Sequence, residues 1–154
     1  MNYIVNKEGN KEVFIHYAAQ FGNFVIVKEI VERGGANSVN LATSQGIISL
    51  HLAALEGDAE LVDYLIRKGA DIKYEDCKGF TVFHYAAQSD SEDAEKILKD
   101  LLSRNDTMGR DKLDLIKLRT KDNSTLLHWA VIFNNDILFE YILKYAVQKR
   151  EGLN

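Results

Sequence analysis

Proline is absent from the 154-residue chain, so no helix start has its backbone angle preset by a pyrrolidine ring. Cysteine occurs once, as Cys77. One thiol cannot form an internal disulfide, which points to a reducing compartment, cytoplasmic or nuclear. Long apolar runs are missing as well. The opening Met1-Asn2-Tyr3-Ile4-Val5-Asn6-Lys7-Glu8 does not read as a signal peptide, and no stretch is long enough to span a bilayer. Nor is there an excess of basic charge: 19 Lys and Arg stand against 23 Asp and Glu, a net charge of −4. Nothing electrostatic therefore favours nucleic acid or an anionic membrane.

The motifs of common chemistries are also lacking. The chain has no G-x-x-x-x-G-K-[ST] loop, no G-x-G-x-x-G, no H-E-x-x-H and no cysteine pair. Cys77 and His84 are close in sequence, but the cysteine falls in a connector and the histidine inside a helix pair. A catalytic dyad needs the two groups in hydrogen-bond reach and a third to orient the base. Glu75-Asp76 reads as solvated loop charge. No catalytic residue, metal site or cofactor is expected, and the chain is not expected to be an enzyme.

What is present is repetition. Hydrophobic residues make up 46% of the chain, enough for the core of a single domain of this length. The four histidines, His16, His51, His84 and His128, each follow a bulky apolar residue (Ile15, Leu50, Phe83, Leu127). Each precedes a small-residue pair: Ala18-Ala19, Ala53-Ala54, Ala86-Ala87 and Ala130-Val131. The spacings between them are 35, 33 and 44 residues, and a period near 33 signals a solenoid. Stacked repeats offer a long surface and no enclosed pocket.

The repeat can be built from its residues. Six positions after each histidine stand Gly22, Gly57, Asp90 and Asn134, types that tolerate a left-handed backbone and so end a first helix. Asn23, Asp58, Ser91 and Asn135 follow as N-caps of a second helix. That helix carries apolar pairs at helical spacing, as in Leu61-Val62 with Leu65-Ile66. It should end at Gly34, Gly69 and Asn105. Ile4, Val39, Ile72 and Ile116 then anchor extended connectors that turn at Gly46, Gly79 and Asn123, with Lys11 in that place in the first copy. Equivalent histidines of stacked repeats lie roughly 8–10 Å apart, too far to share a zinc at about 2 Å per bond.

Thr81-Val82-Phe83-His84-Tyr85-Ala86 and Thr125-Leu126-Leu127-His128-Trp129-Ala130 resemble the T-P-L-H-x-A motif of ankyrin repeats. Gly46 through Ala54, continuing to Gly69-Ala70-Asp71-Ile72, follows that family for one complete repeat. The resemblance covers about residues 4 to 147. It implies an all-α ankyrin-repeat solenoid: four stacked helix-turn-helix repeats joined by extended hairpin-like connectors. The repeats fall near 4–38, 39–71, 72–115 and 116–147, in one domain spanning 1–154. The resemblance further implies that each histidine bonds backbone in the connectors. Phe14, Ser49, Val82 and Leu126 replace the family's proline, which should remove some tenths of a kcal/mol per repeat.

The third repeat is longer by 11 residues. About one extra helical turn near Ser91-Glu92-Asp93 accounts for three, and a polar excursion over 106–113 for the rest. That excursion is expected to be the least ordered internal segment, either a recognition loop or a tolerated insertion. The last helix should run on toward Gly152, with Lys144, Lys149 and Arg150 complementing its dipole. Its Phe139, Leu143 and Tyr145 leave three accounts open: fold-back of the tail, contact with a second copy or a partner, or a longer natural chain.

By position, the resemblance implies binding of another protein through the concave face of the first helices and the connector tips. On the helices this selects Gln20, Phe21, Leu55, Glu56, Gln88, Ser89, Ile132 and Phe133; on the connectors, Ile47, Cys77, Lys78 and Phe80. Several are large and apolar, either an exposed binding row or residues tucked between repeats. A narrower resemblance is to inhibitors of the NF-kappa-B type, which are short acidic stacks with one enlarged inter-repeat connection. A third reading is the ankyrin segment of a larger channel, enzyme or pathogen effector.

Overall fold

In the computed structural model, which describes residues 10–152, eight α-helices follow one another in four antiparallel pairs. They are α1 (Asn10–Gln20) with α2 (Phe24–Gly34), α3 (Ser49–Glu56) with α4 (Ala59–Arg67), α5 (Val82–Gln88) with α6 (Ala94–Thr107), and α7 (Leu126–Ile132) with α8 (Asp136–Arg150). The first helices pack side by side in the order α1, α3, α5, α7, and α4, α6 and α8 line up behind them. The fold is the expected all-α solenoid. Among the described residues no helix is long and apolar enough to cross a membrane.

Each second helix starts where its polar cap says it should, with one exception. Asn23, Asp58 and Asn135 accept the backbone N–H of Ile26, Leu61 and Leu138 through their side chains. Gly22, Gly57 and Asn134 hold the left-handed turns before them. In the third repeat Asp90 is not left-handed and Ser91 does not cap α6. The chain instead makes a hydrogen-bonded turn, in which Ser91 accepts from Asp93 through its hydroxyl and from Ala94 through its carbonyl. The three extra residues are thus a turn before the helix rather than an added helical turn. They leave Ile97, Leu98, Leu101 and Leu102 buried as the shifted apolar pairs.

Two expected helix ends also move. Gly34 is the last helical residue of α2, and the left-handed position is Gly35. Asn105 does not end α6; it lies within the helix, buried, and its amide clamps the chain that follows. Its Nδ2 donates to the Leu113 carbonyl at 3.0 Å and its Oδ1 accepts from Leu113 N–H at 2.8 Å. The polar 106–113 excursion is consequently folded down. It continues α6 to Thr107, makes a short 3-10 helix at Gly109–Asp111, and packs Met108 and Leu113 against the core.

Val39 and Ile72 are buried as connector anchors, whereas Ile116 is only half-buried and its neighbour Leu115 takes the core position. The added residues shift the register by one. Ile4 lies outside the described residues, and Lys11 falls inside α1 rather than at a hairpin turn. α8 does run to Arg150, but Lys149 is held across the repeat by Asp114 at 2.8 Å, so packing as well as the dipole fixes that end.

The clamp sets a test. Asn105→Ala removes both hydrogen bonds to the Leu113 backbone, which should cost about 1–3 kcal/mol. Amide exchange should accelerate most in 108–113. An unchanged unfolding midpoint with unchanged exchange would show that the apolar contacts of Met108 and Leu113 hold the segment alone.

Candidate interaction surface

The connectors position the face on which the expected binding residues lie, and they are fixed by backbone geometry. Ala42 pairs with Ile48 and Arg119 with Thr125 in isolated antiparallel bridges. In the middle connector Asp76 N–H donates to the Phe80 carbonyl at 2.9 Å. Neighbouring tips are then tied together: Cys77 N–H donates to the Gln45 carbonyl at 2.8 Å, and Lys121 N–H to the Lys78 carbonyl at 2.9 Å. Gly46 and Gly79 permit this. Both have positive φ, and a Cβ on Gly46 would stand 2.9 Å from the Cys77 nitrogen.

The polar residue that opens each turn sits eight positions before the histidine. Thr43 accepts two backbone N–H groups through its hydroxyl. Asp76 accepts Lys78 and Phe80 N–H through one carboxylate oxygen and the Tyr85 hydroxyl, at 2.7 Å, through the other. Asp76 is therefore buried structure rather than the solvated charge its sequence suggested.

The histidine rings join helix to connector. His51 Nδ1 accepts the N–H of Ile48 and its Nε2 meets the Tyr74 carbonyl at 3.1 Å. His16 Nε2 meets the Leu41 carbonyl at 2.9 Å. His84 and His128 accept the N–H of Thr81 and Thr125 at Nδ1. Nε2 of His84 is buried without a hydrogen-bond partner among the described residues; the connector that should receive it follows the lengthened third repeat. Burial lowers the pKa of His51 to about 4, against the opposing pull of the Tyr74 carbonyl and Asp76. Burial lowers His84 to about 4 as well. Among the described residues no three His, Cys, Asp or Glu side chains converge as a metal site.

Between the repeats runs an aromatic ladder that the sequence reading missed. Tyr85 stacks on His51 of the preceding repeat at 4.7 Å between ring centres. Phe80 stacks on His84 at 4.9 Å and meets Trp129 edge-on at 4.8 Å. Trp129 stacks on Phe133 at 5.4 Å and donates its indole N–H to Thr120. The signal was available, since an aromatic follows the histidine in three of four repeats (Tyr17, Tyr85, Trp129).

The ladder changes the status of the expected anchors. Phe80, expected on an exposed connector, is half-buried between two repeats, and Leu55, Phe133 and Ile47 are also half-buried. Phe21 is 77% and Ile132 62% exposed. The matched positions between those two carry Glu56 and Gln88, both exposed, with Ser89 half-buried. Gln20, Cys77 and Lys78 are exposed. The face is thus a polar strip with an apolar patch at each end, not one continuous apolar row. Middle repeats have neighbours on both sides to cover their large side chains; end repeats have one.

Comparison with known proteins agrees with this architecture. A family model described as ankyrin repeats (3 copies) matches residues 15–111. The chain is 36% identical over 85 residues to the potassium channel AKT1 of Arabidopsis thaliana, covering 55% of this chain and 10% of the channel. It is 34% identical over 122 residues to mouse ankyrin repeat and SAM domain-containing protein 6, covering 79% and 12%. It is 29% identical over 149 residues to the phosphocholine transferase AnkX of Legionella pneumophila, covering 94% and 15%. The chain therefore spans no more than 15% of the length of these relatives.

Two measurements test the geometry. His51 and His84 have folded pKa values below that of the free side chain, so below pH 6.5 the unfolded chain takes up protons that the folded one refuses. Stability should be full above pH 6.5 and fall toward pH 4, by on the order of 2 kcal/mol per histidine at pH 5. Urea midpoints at pH 7.5 and 5.0 measure it, and His51→Gln should remove about half of the drop. Separately, Phe80→Ser should cost roughly 2 kcal/mol of stability by opening the ladder, and Ile132→Ser under about 0.5 kcal/mol.

Proposed function

This chain belongs to the ankyrin-repeat family, and from that premise we propose that it is a non-catalytic module that binds a partner protein. The concave face of α1, α3, α5 and α7 and the connector tips form the binding surface. Ankyrin repeats generally mediate protein–protein interaction. The observation that carries the reading here is the bonding of tip to tip, Gln45 to Cys77 and Lys78 to Lys121. A surface held this rigidly loses little conformational freedom on binding, which favours recognition of an extended partner. Ile132 and Phe133 at one end and Phe21 at the other are its apolar anchors, with Gln20, Glu56 and Gln88 setting polar specificity between them. Ile47, Cys77 and Lys78 contribute at the tips, and Leu55, Phe80 and Ser89 support the face from behind. The exposed lone thiol of Cys77 goes with a reducing compartment, cytoplasmic or nuclear.

A second reading rests on the short share of each relative that the chain matches. It is the ankyrin segment of a larger protein, as in a channel, an enzyme or a pathogen effector, where it would carry binding for chemistry located elsewhere. The length of the natural open reading frame decides between a free-standing module and a segment.

The binding face is tested with photo-crosslinking residues placed at Lys78 and Ile132 on the concave side and at Lys99 on α6. Adducts with one partner should form from the first two positions and not from the third. With that partner in hand, Ile132→Ser should weaken affinity about 10-fold or more without moving the unfolding midpoint. Adducts from Lys99 alone would place recognition on the second helices instead.

A further inference from the structure

The inter-repeat contact is used three times along the chain, α1 on α3, α3 on α5 and α5 on α7, and its two outermost faces are left open among the described residues. Phe14 and Tyr17 on α1 and Phe21 just past its end stand at positions i, i+3 and i+7, and all three are exposed. Tyr17 stacks on Phe21 at 6.4 Å between ring centres. The residues matched to Phe14 in later repeats, Ser49, Val82 and Leu126, are fully buried by the repeat before them. Among the described residues, the α1 stripe is therefore an inter-repeat face that nothing covers.

Beside Phe21 lies a shallow groove of about 760 Å³, lined by Glu56, Asp58, Glu60 and Asp93, with Lys96 as its one cation. None of these four carboxylates forms an ion pair among the described residues. The groove favours a basic ligand with an apolar face, and the other end of the molecule has one. On α8, Leu143 and Val147 are exposed, and Lys144 and Arg150 flank them on adjoining turns, exposed and free of ion pairs among the described residues. The charge of the whole chain is divided the same way. Residues 14–108 carry 9 basic against 15 acidic side chains, and residues 109–152 carry 8 basic against 6 acidic.

We propose that the protein associates head to tail with a second copy, the exposed face of α8 docking on the aromatic stripe of α1 and the acidic groove beside it. Leu143 and Val147 cover Tyr17 and Phe21, while Lys144 and Arg150 reach the carboxylates. The contact is heterologous, and each pair leaves one head and one tail free. Association is then open-ended unless the rotation per copy closes a ring. Opposite charge on the two faces makes it weaken as salt screens them.

Sedimentation of the full chain across about two decades of concentration, up to roughly 0.5 mM, should show a weight-average mass rising above the monomer's 17.5 kDa. Raising the salt should lower it. Phe21→Glu removes the head and Val147→Glu removes the tail, and both residues are exposed, so each variant should fold and sediment as monomer. An equimolar mixture should recover association, because one variant keeps its tail and the other its head, and should stop at the dimer. Charge reversal gives a second pair: Glu56→Lys with Glu60→Lys in one chain, Lys144→Glu with Arg150→Glu in the other. Wild-type protein that stays monomeric throughout would overturn the proposal and leave the two faces to other occupants. Association that neither variant disturbs, or a mixture that stays monomeric while wild type associates, would overturn it equally.

Discussion

A neutral imidazole that bonds in two directions is the joint on which this structure depends. In the second repeat, Nδ1 of His51 accepts the backbone N–H at the start of its own helix, and Nε2 reaches the carbonyl of the connector that follows. The ring can do both only when Nδ1 is an acceptor and Nε2 carries the proton. Protonating Nδ1 would aim a proton at an amide proton in a site already dry. Burial lowers the pKa and keeps the ring neutral, and the two hydrogen bonds then fix its orientation and the position of the connector. Because the connectors after the first two repeats are hung from His16 and His51, the rise between those repeats is set by a side chain as well as by helix packing.

The third repeat shows what happens when that spacing is broken. Its added residues move the following connector, and His84 keeps its bond to Thr81 but loses the outgoing one. Aromatic packing takes over the work of alignment. Phe80 lies flat on the orphaned ring, and Trp129 closes against Phe80 from the fourth repeat. The Asn105 clamp compensates from the other side by holding Leu113 and returning the chain to the stack. The insertion is accommodated by new side-chain contacts instead of being released as a free loop.

A solenoid buries a residue according to whether a neighbour exists, and this governs the exposed chemistry of the molecule. Ala19, Ala54 and Ala87 are covered by the next repeat, whereas Val131 at the matched place in the last repeat is 62% exposed. At the other end Phe14 and Tyr17 are exposed, with no described repeat against them. Large apolar side chains in the middle become struts, and the same side chains at the ends become surface.

The periodicity of the histidines, the polar caps at Asn23, Asp58 and Asn135, and the left-handed turns at Gly46, Gly79 and Asn123 were legible because each is decided within a few residues of itself. Sequence alone determined the helix pairs and the connectors between them; the bonds of His16 and His51 to connector carbonyls, 25 and 23 positions away, came from the fold. The burial of Phe80, the function of Asn105, the pairing of Asp76 with Tyr85 and the division of the concave face into two apolar ends were decided by the tertiary structure. Asp76 and Tyr85 meet within one repeat, nine positions apart; the others depend on which residue of a neighbouring repeat comes to lie against them, or on how an insertion folds back. A local pattern states that a side chain is apolar. Only the stacking of repeats decides whether another repeat covers it.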